Sequence, residues 1–164
     1  MKKIKLIVSD IDGVLTDGRI TLSHPYDSDG TKTLCFKDFD AVGMLKDIGV
    51  NVCLITGEKD GFVDEVIRRF NPKICISGCK DKALALEDIS KKMMVAIDEM
   101  AYMGDGKYDI PALQEAGLSI CPMDAIQEVK NVSDVTLEVN GGYGCLAAAY
   151  TIINKYNSKI DSNE

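Results

Sequence analysis

The sequence predicts an α/β protein, a doubly wound parallel sheet with helices on both faces and a β-hairpin flap protruding from it. Three observations carry this. Short apolar runs rich in β-branched residues recur along the chain, segments of helical periodicity separate them, and turn-forming residues follow nearly every run. Strand alternating with helix is the signature of a parallel sheet covered on both sides.

The first run, residues 4–8, ends in Ser9-Asp10 and an Asp12-Gly13 turn signal, as a buried parallel strand should. Residues 19–22 and 32–36 flank a polar loop, 23–31, and read as the two legs of the hairpin flap, with His24 in its loop. Further strands are expected at 50–55, 74–76, 100–103 and 118–121. Helices are expected at 41–48, 62–70, 82–92 and 110–116, the last opening near Pro111 and stopped by Gly117. With 164 residues there is room for one domain with its own core, expected over 1–156. The polar stretch 157–164 reads as a frayed tail.

Composition narrows the function. Apolar residues make up 46% and charged residues 27%, as in a folded globular protein. A formal charge of -7 speaks against nucleic acid or anionic lipid as partner, because both demand dense Lys/Arg patches. No stretch approaches the 18 or more apolar residues of a membrane span, and with no long apolar region ahead of the first strand neither export nor a membrane span is expected. The six cysteines lie in apolar contexts without framework spacing and read as reduced thiols, which points to the cytoplasm.

In doubly wound sheets, ligands bind beyond the carboxyl ends of the strands. Two carboxylates, Asp10 and Asp12, follow the first run, which taken alone is also an ordinary polar turn. Thr56-Gly57-Glu58 follows the second and alone is explained as a helix N-cap. Lys82 opens a helix, where a lysine normally sits in solvent and opposes the helix dipole. Gly104-Asp105-Gly106-Lys107-Tyr108-Asp109 follows the fourth run with a second carboxylate pair. Taken together, these strand ends gather four carboxylates, a hydroxyl and a lysine at one edge of the sheet. So many carboxylates must either gain protons or share a cation. Oxygen-only ligands suit Mg²⁺, which keeps waters and accepts phosphate oxygens, so a phosphorylated substrate is implied.

With these residues in place, the chain resembles the haloacid dehalogenase superfamily of phosphohydrolases. Its four motifs are D-x-D-G, Thr/Ser, Lys and G-D-x-x-x-D, and they occur here in order at Asp10–Gly13, Thr56, Lys82 and Gly104–Asp109. Asp10 to Gly18 is also similar to the D-I-D-G-V-x-T-D-G mark of its small capless branch, which acts on octulosonate and nonulosonate phosphates. The resemblance implies a Rossmann-like sheet with no cap domain, in a homotetramer whose hairpins pack on neighbours. It implies Asp10 as nucleophile and Asp12 as acid and base, with Mg²⁺ held by Asp10, Asp105 and the Asp12 carbonyl and supported by Asp109. It implies that Thr56, Gly57 and Lys82 bind the phosphoryl group, with Thr16 and Glu58 also on the substrate.

The implied substrate is a sugar phosphate of lipopolysaccharide or sialic acid biosynthesis. Residues 57–59, Gly-Glu-Lys, are similar to the nonulosonate 9-phosphate enzymes. Phe39 and Ala147 stand where octulosonate enzymes carry arginines. Two other readings differ in class. A phosphoryl-accepting receiver would carry its acceptor after the third strand rather than the first. An idle oligomerisation module of sugar-nucleotide synthesis would be expected to lose motif aspartates, and all four are present.

Overall fold

The computed structural model describes residues 2–22 and 30–162. Six strands form one sheet, all parallel, in the order β3-β2-β1-β4-β5-β6: β1 Leu6–Asp10, β2 Asn51–Ile55, β3 Cys75–Ile76, β4 Met100–Met103, β5 Leu118–Cys121 and β6 Val135–Thr136. The chain winds outward from β1 through β2 to β3, then returns to β4 on the other side of β1 and winds out to β6. The reversal falls between β1 and β4, and a crevice for ligand opens beyond the carboxyl ends of strands at such a switch point.

Alternation along the strands divides the core into two layers. Ile7, Val52, Leu54, Ala101 and Ile120 pack on α1 Phe36–Asp47, α2 Gly61–Phe70 and α6 Cys145–Asp161 through Leu45, Val66, Phe70, Leu146 and Ile153. Leu6, Val8, Cys53, Met100 and Tyr102 pack on α3 Lys82–Met93, α4 Ile110–Glu115 and α5 Gln127–Val132 through Leu86, Ile89, Leu113 and Val129. Each fully buried Leu or Ile contributes about 1.5–3 kcal/mol by leaving water, so these layers dominate the folding energy.

The expected strands at 100–103 and 118–121 and the helices following β2, β3 and β4 form within about a residue of their expected ends. Elsewhere the structure differs. β1 runs two residues further than expected, because Asp10 still pairs in register with Ile55. Helix α1 starts at Phe36 instead of residue 41, so the expected second hairpin leg is an extended segment rather than a strand. The legs meet at one antiparallel bridge, Thr21 with Thr31, closed by two hydrogen bonds of 3.1 and 2.9 Å. The hairpin loop expected at 23–31, including His24, lies mostly outside the described residues.

The tail expected to fray is helical as far as Asp161. Asn157 ties it down by accepting from the Ile4 N–H and donating to the Ile4 carbonyl, both at 2.8 Å, which anchors α6 to the strand leading into the site. All six cysteines are unbridged. No helix among the described residues is long and apolar enough to cross a membrane.

Candidate active site

The site is built where β1 and β4 end. Asp10 is the last residue of β1, and its Oδ1 accepts the Ile11 N–H at 2.8 Å, which fixes the carboxylate at the strand tip. The chain then folds tightly on itself, with the N–H groups of Val14, Leu15 and Thr16 all directed at the Ile11 carbonyl. Gly13 adopts a φ of +86°, and a Cβ there would lie 2.0 Å from an Asp105 carboxylate oxygen. Only glycine allows the loop of β1 and the loop of β4 to approach so closely.

Thr16, expected on the substrate, is fully buried beneath this loop. Its hydroxyl accepts from the N–H groups of Gly13 and Gly18 and donates to Asp12 Oδ1 at 3.2 Å, so it shapes the loop.

Lys82 is not a surface lysine. It is 5% exposed at the first turn of α3, whose N-cap is Asp81, and its Nζ lies 2.6 Å from Asp10 Oδ2 and 2.8 Å from Asp109 Oδ1. Asp109 is enclosed on all sides: Oδ1 also accepts the Tyr102 hydroxyl at 2.7 Å, and Oδ2 accepts the N–H groups of Asp105 and Gly106 at 3.2 and 3.0 Å. Thr56, 1% exposed at the end of β2, orients its hydroxyl by accepting the Glu58 N–H at 3.1 Å. Thr56, Gly57, Glu58 and Lys82 line an open cavity of about 290 Å³ together with Asp10 and Asp12. All the expected site residues except Thr16 therefore face or adjoin one crevice. Asp105 and Asp109 meet it through the acid cluster.

Oxygens of Asp10, Asp105 and Asp109 lie within 4.8 Å of one another. Burial pushes the Asp10 carboxyl up to about 7, helped by the charge of Asp109 and opposed by Lys82. Burial likewise raises Asp105 to about 6, again with Asp109 adding to it. For Lys82 burial pulls downward, but the facing carboxylates outweigh it, so its pKa is above the ordinary lysine value. One lysine thus leaves the cluster short of positive charge. The donor set is all carboxylate oxygen, which suits a hard divalent cation. Asp109 has both oxygens committed by hydrogen bonds.

Sequence reasoning missed two residues that organise the site. Tyr102 was counted only as an apolar strand residue, although its hydroxyl holds Asp109. Lys32 lies on the second hairpin leg, where lysines are usually solvated, yet its side chain is 8% exposed and its Nζ lies 2.9 Å from Asp12 Oδ2. Near Phe39 the structure also buries a carboxylate that the sequence did not single out. It is Asp38, which accepts the Leu146 and Ala147 N–H groups at the start of α6.

Known proteins resemble this chain in sequence and in fold. Residues 76–145 match the family profile described as haloacid dehalogenase-like hydrolase. The chain is 34% identical over 146 residues to 3-deoxy-D-manno-octulosonate 8-phosphate phosphatase KdsC of Haemophilus influenzae, covering 88% of this chain and 79% of that protein. The cobalt-bound structure of the Haemophilus influenzae enzyme superposes with a TM-score of 0.88 at 29% identity, covering 96% of this chain and 91% of that one. The Moraxella catarrhalis enzyme, solved with magnesium, phosphate and the sugar acid KDO, gives 0.84 at 30% identity over 98% and 94% of the two chains. From its motifs, its fold and these relatives, the chain belongs to the haloacid dehalogenase-like hydrolases, as a phosphatase of the branch that resembles 3-deoxy-D-manno-octulosonate 8-phosphate phosphatase.

Proposed function

We propose that the protein is a Mg²⁺-dependent phosphomonoesterase that hydrolyses the phosphate ester of a 3-deoxy-2-ulosonate through an aspartyl phosphate on Asp10. The observation that carries this is the Asp10 carboxylate, held at a strand tip against Lys82 and within reach of Asp105 and Asp109, facing an open cavity. Asp10 attacks phosphorus, and the ester P–O bond breaks as Asp12 gives its proton to the leaving alkoxide. Asp12 then takes a proton from water as that water attacks the phosphorus. The P–O bond to Asp10 breaks, releasing inorganic phosphate and restoring the Asp10 carboxylate and the protonated Asp12.

Thr56 and the backbone around Gly57 bind the phosphoryl oxygens, and Lys82 neutralises the charge they carry. Such preorganised charge supplies most of the catalysis in phosphoryl transfer. Asp10, Asp105 and the Asp12 carbonyl hold the metal, with Asp109 bracing Lys82 and the Asp105 backbone around it. When bound, Mg²⁺ offsets the cluster's negative charge and polarises a phosphate oxygen.

For the substrate, the relatives' names favour octulosonate 8-phosphate. Glu58, exposed at the cavity rim, and the lack of arginine at positions 39 and 147 favour a nonulosonate 9-phosphate instead. A homotetramer is part of the proposal, supported by exposed apolar side chains near the hairpin: Ile20, Leu22 and Phe36. The fold supports a single phosphatase domain reaching through α6, longer than the 1–156 expected from sequence.

The test is phosphate release from octulosonate 8-phosphate, nonulosonate 9-phosphates and simple sugar phosphates, with magnesium or EDTA. Metal-dependent turnover of a ulosonate phosphate above the simple sugars is expected. A folded, metal-binding protein inert across the panel would instead be an idle module.

A further inference from the structure

Asp12 differs from its neighbours: its carboxylate is not part of the Asp10–Asp105–Asp109 cluster, although its chain position is two residues from Asp10. Each of its oxygens is held from another direction. Oδ1 accepts the Thr16 hydroxyl at 3.2 Å and Oδ2 accepts the Lys32 ammonium at 2.9 Å. Among the described residues, Lys32 is the only cation paired with Asp12 within 4 Å.

Lys32 is itself fixed. Its Nζ lies 3.9 Å from Asp60 Oδ2, while Asp60 Oδ1 caps α2 by accepting the Val63 N–H at 3.0 Å. Its ammonium also lies 5.1 Å from the centre of the Phe62 ring, a cation–π contact. The side chain is only 8% exposed, so Lys32 spans from the hairpin leg to the N-terminus of α2 and holds the Asp12 carboxylate between them.

A second cavity of about 380 Å³ is lined by Arg19, Lys32, Glu58 and Asp60 as well as Asp12, and by none of the cluster's carboxylates. It shares Asp12 and Glu58 with the cavity over Asp10, so the two form one crevice with the Asp12 carboxylate at their boundary.

We propose that Lys32 is the positioning residue of the acid–base step. It holds the Asp12 carboxylate at the leaving-group side of the phosphoryl site and out of the Asp10–Asp105–Asp109 cluster. An unrestrained carboxylate two residues from a cation site would be drawn to the cation, and a misplaced acid cannot reach the departing oxygen. A fixed ammonium 2.9 Å away opposes that movement by charge as well as by geometry. The inference rests on the phosphatase reading above. The steps it serves are the two already balanced: the Asp12 proton passes to the leaving alkoxide, then Asp12 accepts a proton from the attacking water.

The test compares native protein with Lys32→Met and Lys32→Arg on two substrates in Mg²⁺: the best sugar phosphate of the panel, and p-nitrophenyl phosphate. Nitrophenolate leaves without needing a proton, whereas a sugar alkoxide does not. In Lys32→Met the kcat for the sugar phosphate should fall by about 100-fold or more, the usual worth of a positioned general acid. With p-nitrophenyl phosphate the same variant should give a burst of one nitrophenolate per site followed by slow turnover, because the aspartyl phosphate forms but its hydrolysis still needs Asp12. Lys32→Arg, which keeps the cation, should restore most of the lost rate.

Three results would overturn the proposal. One is a raised KM for the sugar phosphate with kcat intact, which makes Lys32 a substrate anchor. Another is an equal loss on both substrates without a burst, in a variant whose melting temperature has dropped. The third is no change at all. A native protein inert toward both substrates would defeat the phosphatase reading instead, and this inference with it.

Discussion

At Asp10 two requirements compete. The proposed nucleophile must be ionised, yet burial and Asp109 hold its carboxyl up to about 7. Lys82 is the protein's own remedy, with contacts of 2.6 and 2.8 Å to the two carboxylates, and a divalent cation completes it. Removing one partner from a buried ion pair leaves charge without compensation, which costs about 3–5 kcal/mol. Lys82→Met is therefore expected to melt at a lower temperature, by at least about 3 kcal/mol of stability in EDTA. Its turnover is expected to fall by about 100-fold or more, since a donor aimed at developing charge is lost. Urea denaturation and steady-state kinetics on the same preparation check both. Unchanged stability would mean that the pair contributes nothing to the resting protein.

Elements set the loop positions, and the glycine segment ahead of α6 presses on the loop that carries Asp12. The Gly141 N–H is held by Asp124 at 2.9 Å, and the Gly142 N–H donates to the Val14 carbonyl at 2.9 Å. A Cβ on Gly141 would lie 2.2 Å from the Gly13 carbonyl oxygen, so this segment is pressed directly on the loop that carries Asp12. Gly141→Ala should push that loop out of place, at a cost of about 1–3 kcal/mol for the overpacking. Activity should fall further than stability alone explains, as seen by measuring kcat well below the melting temperature.

Asp38 fixes the other side of the same segment by accepting two N–H groups at the start of α6, while its Oδ2 is buried with no hydrogen-bond partner among the described residues. Burial raises its pKa to about 6, above the ordinary 3.8. The folded state therefore binds this proton more tightly than the unfolded chain. The stability it contributes is complete below about pH 4 and is lost as pH rises through about 6. Asp38→Asn cannot titrate. Relative to that variant, the native protein should lose about 2–3 kcal/mol between pH 4 and pH 7, read from paired denaturation curves. A constant difference across that range would contradict the burial argument.

How legible these elements were follows from their physics. β4 and β5 are continuous apolar runs with turn residues at both ends, and α2 and α3 carry helical periodicity, so sequence pattern alone located them. The side chain that caps α2, however, is Asp60 and not one of the Thr56-Gly57-Glu58 stretch read as its cap. The start of α1 was hidden because Phe36-Lys37-Asp38-Phe39-Asp40 has no apolar stripe, and its helix is held by packing along α6 and by the Asp38 bond to it. β6 is two residues long, and α6 follows a glycine-rich stretch that reads as loop. In the site, the strand-end aspartates were readable because topology alone brings strand ends together. Lys32 was not, because its partners Asp12 and Asp60 are distant in sequence and only the fold of the hairpin leg makes it meet them.

For the whole molecule, the sheet leaves its acidic crevice at the switch point between β1 and β4, and among the described residues Lys82 is the cation paired with the cluster. Metal binding to the folded state must then stabilise it. At a concentration of Mg²⁺ about 100-fold above its dissociation constant the gain is about 2.7 kcal/mol. In a chain of this size that is a rise of roughly 5–10 °C in melting temperature. Asp105→Asn should abolish the rise while leaving the metal-free melting temperature equal to or above the native one, because it removes a charge that burial disfavours. The proposed assembly is read by light scattering of the eluting protein. Four copies per particle are expected, and a monomer at micromolar concentration would contradict it.

The account turns on a covalent intermediate at one residue. Acid quenching of the Mg²⁺-loaded enzyme during turnover, followed by peptide mass spectrometry, should find a phosphoryl group on the peptide containing Asp10 and none in Asp10→Asn, which should also release no phosphate. Phosphate release by Asp10→Asn at the native rate, or a phosphoryl group located on any other residue, would contradict it.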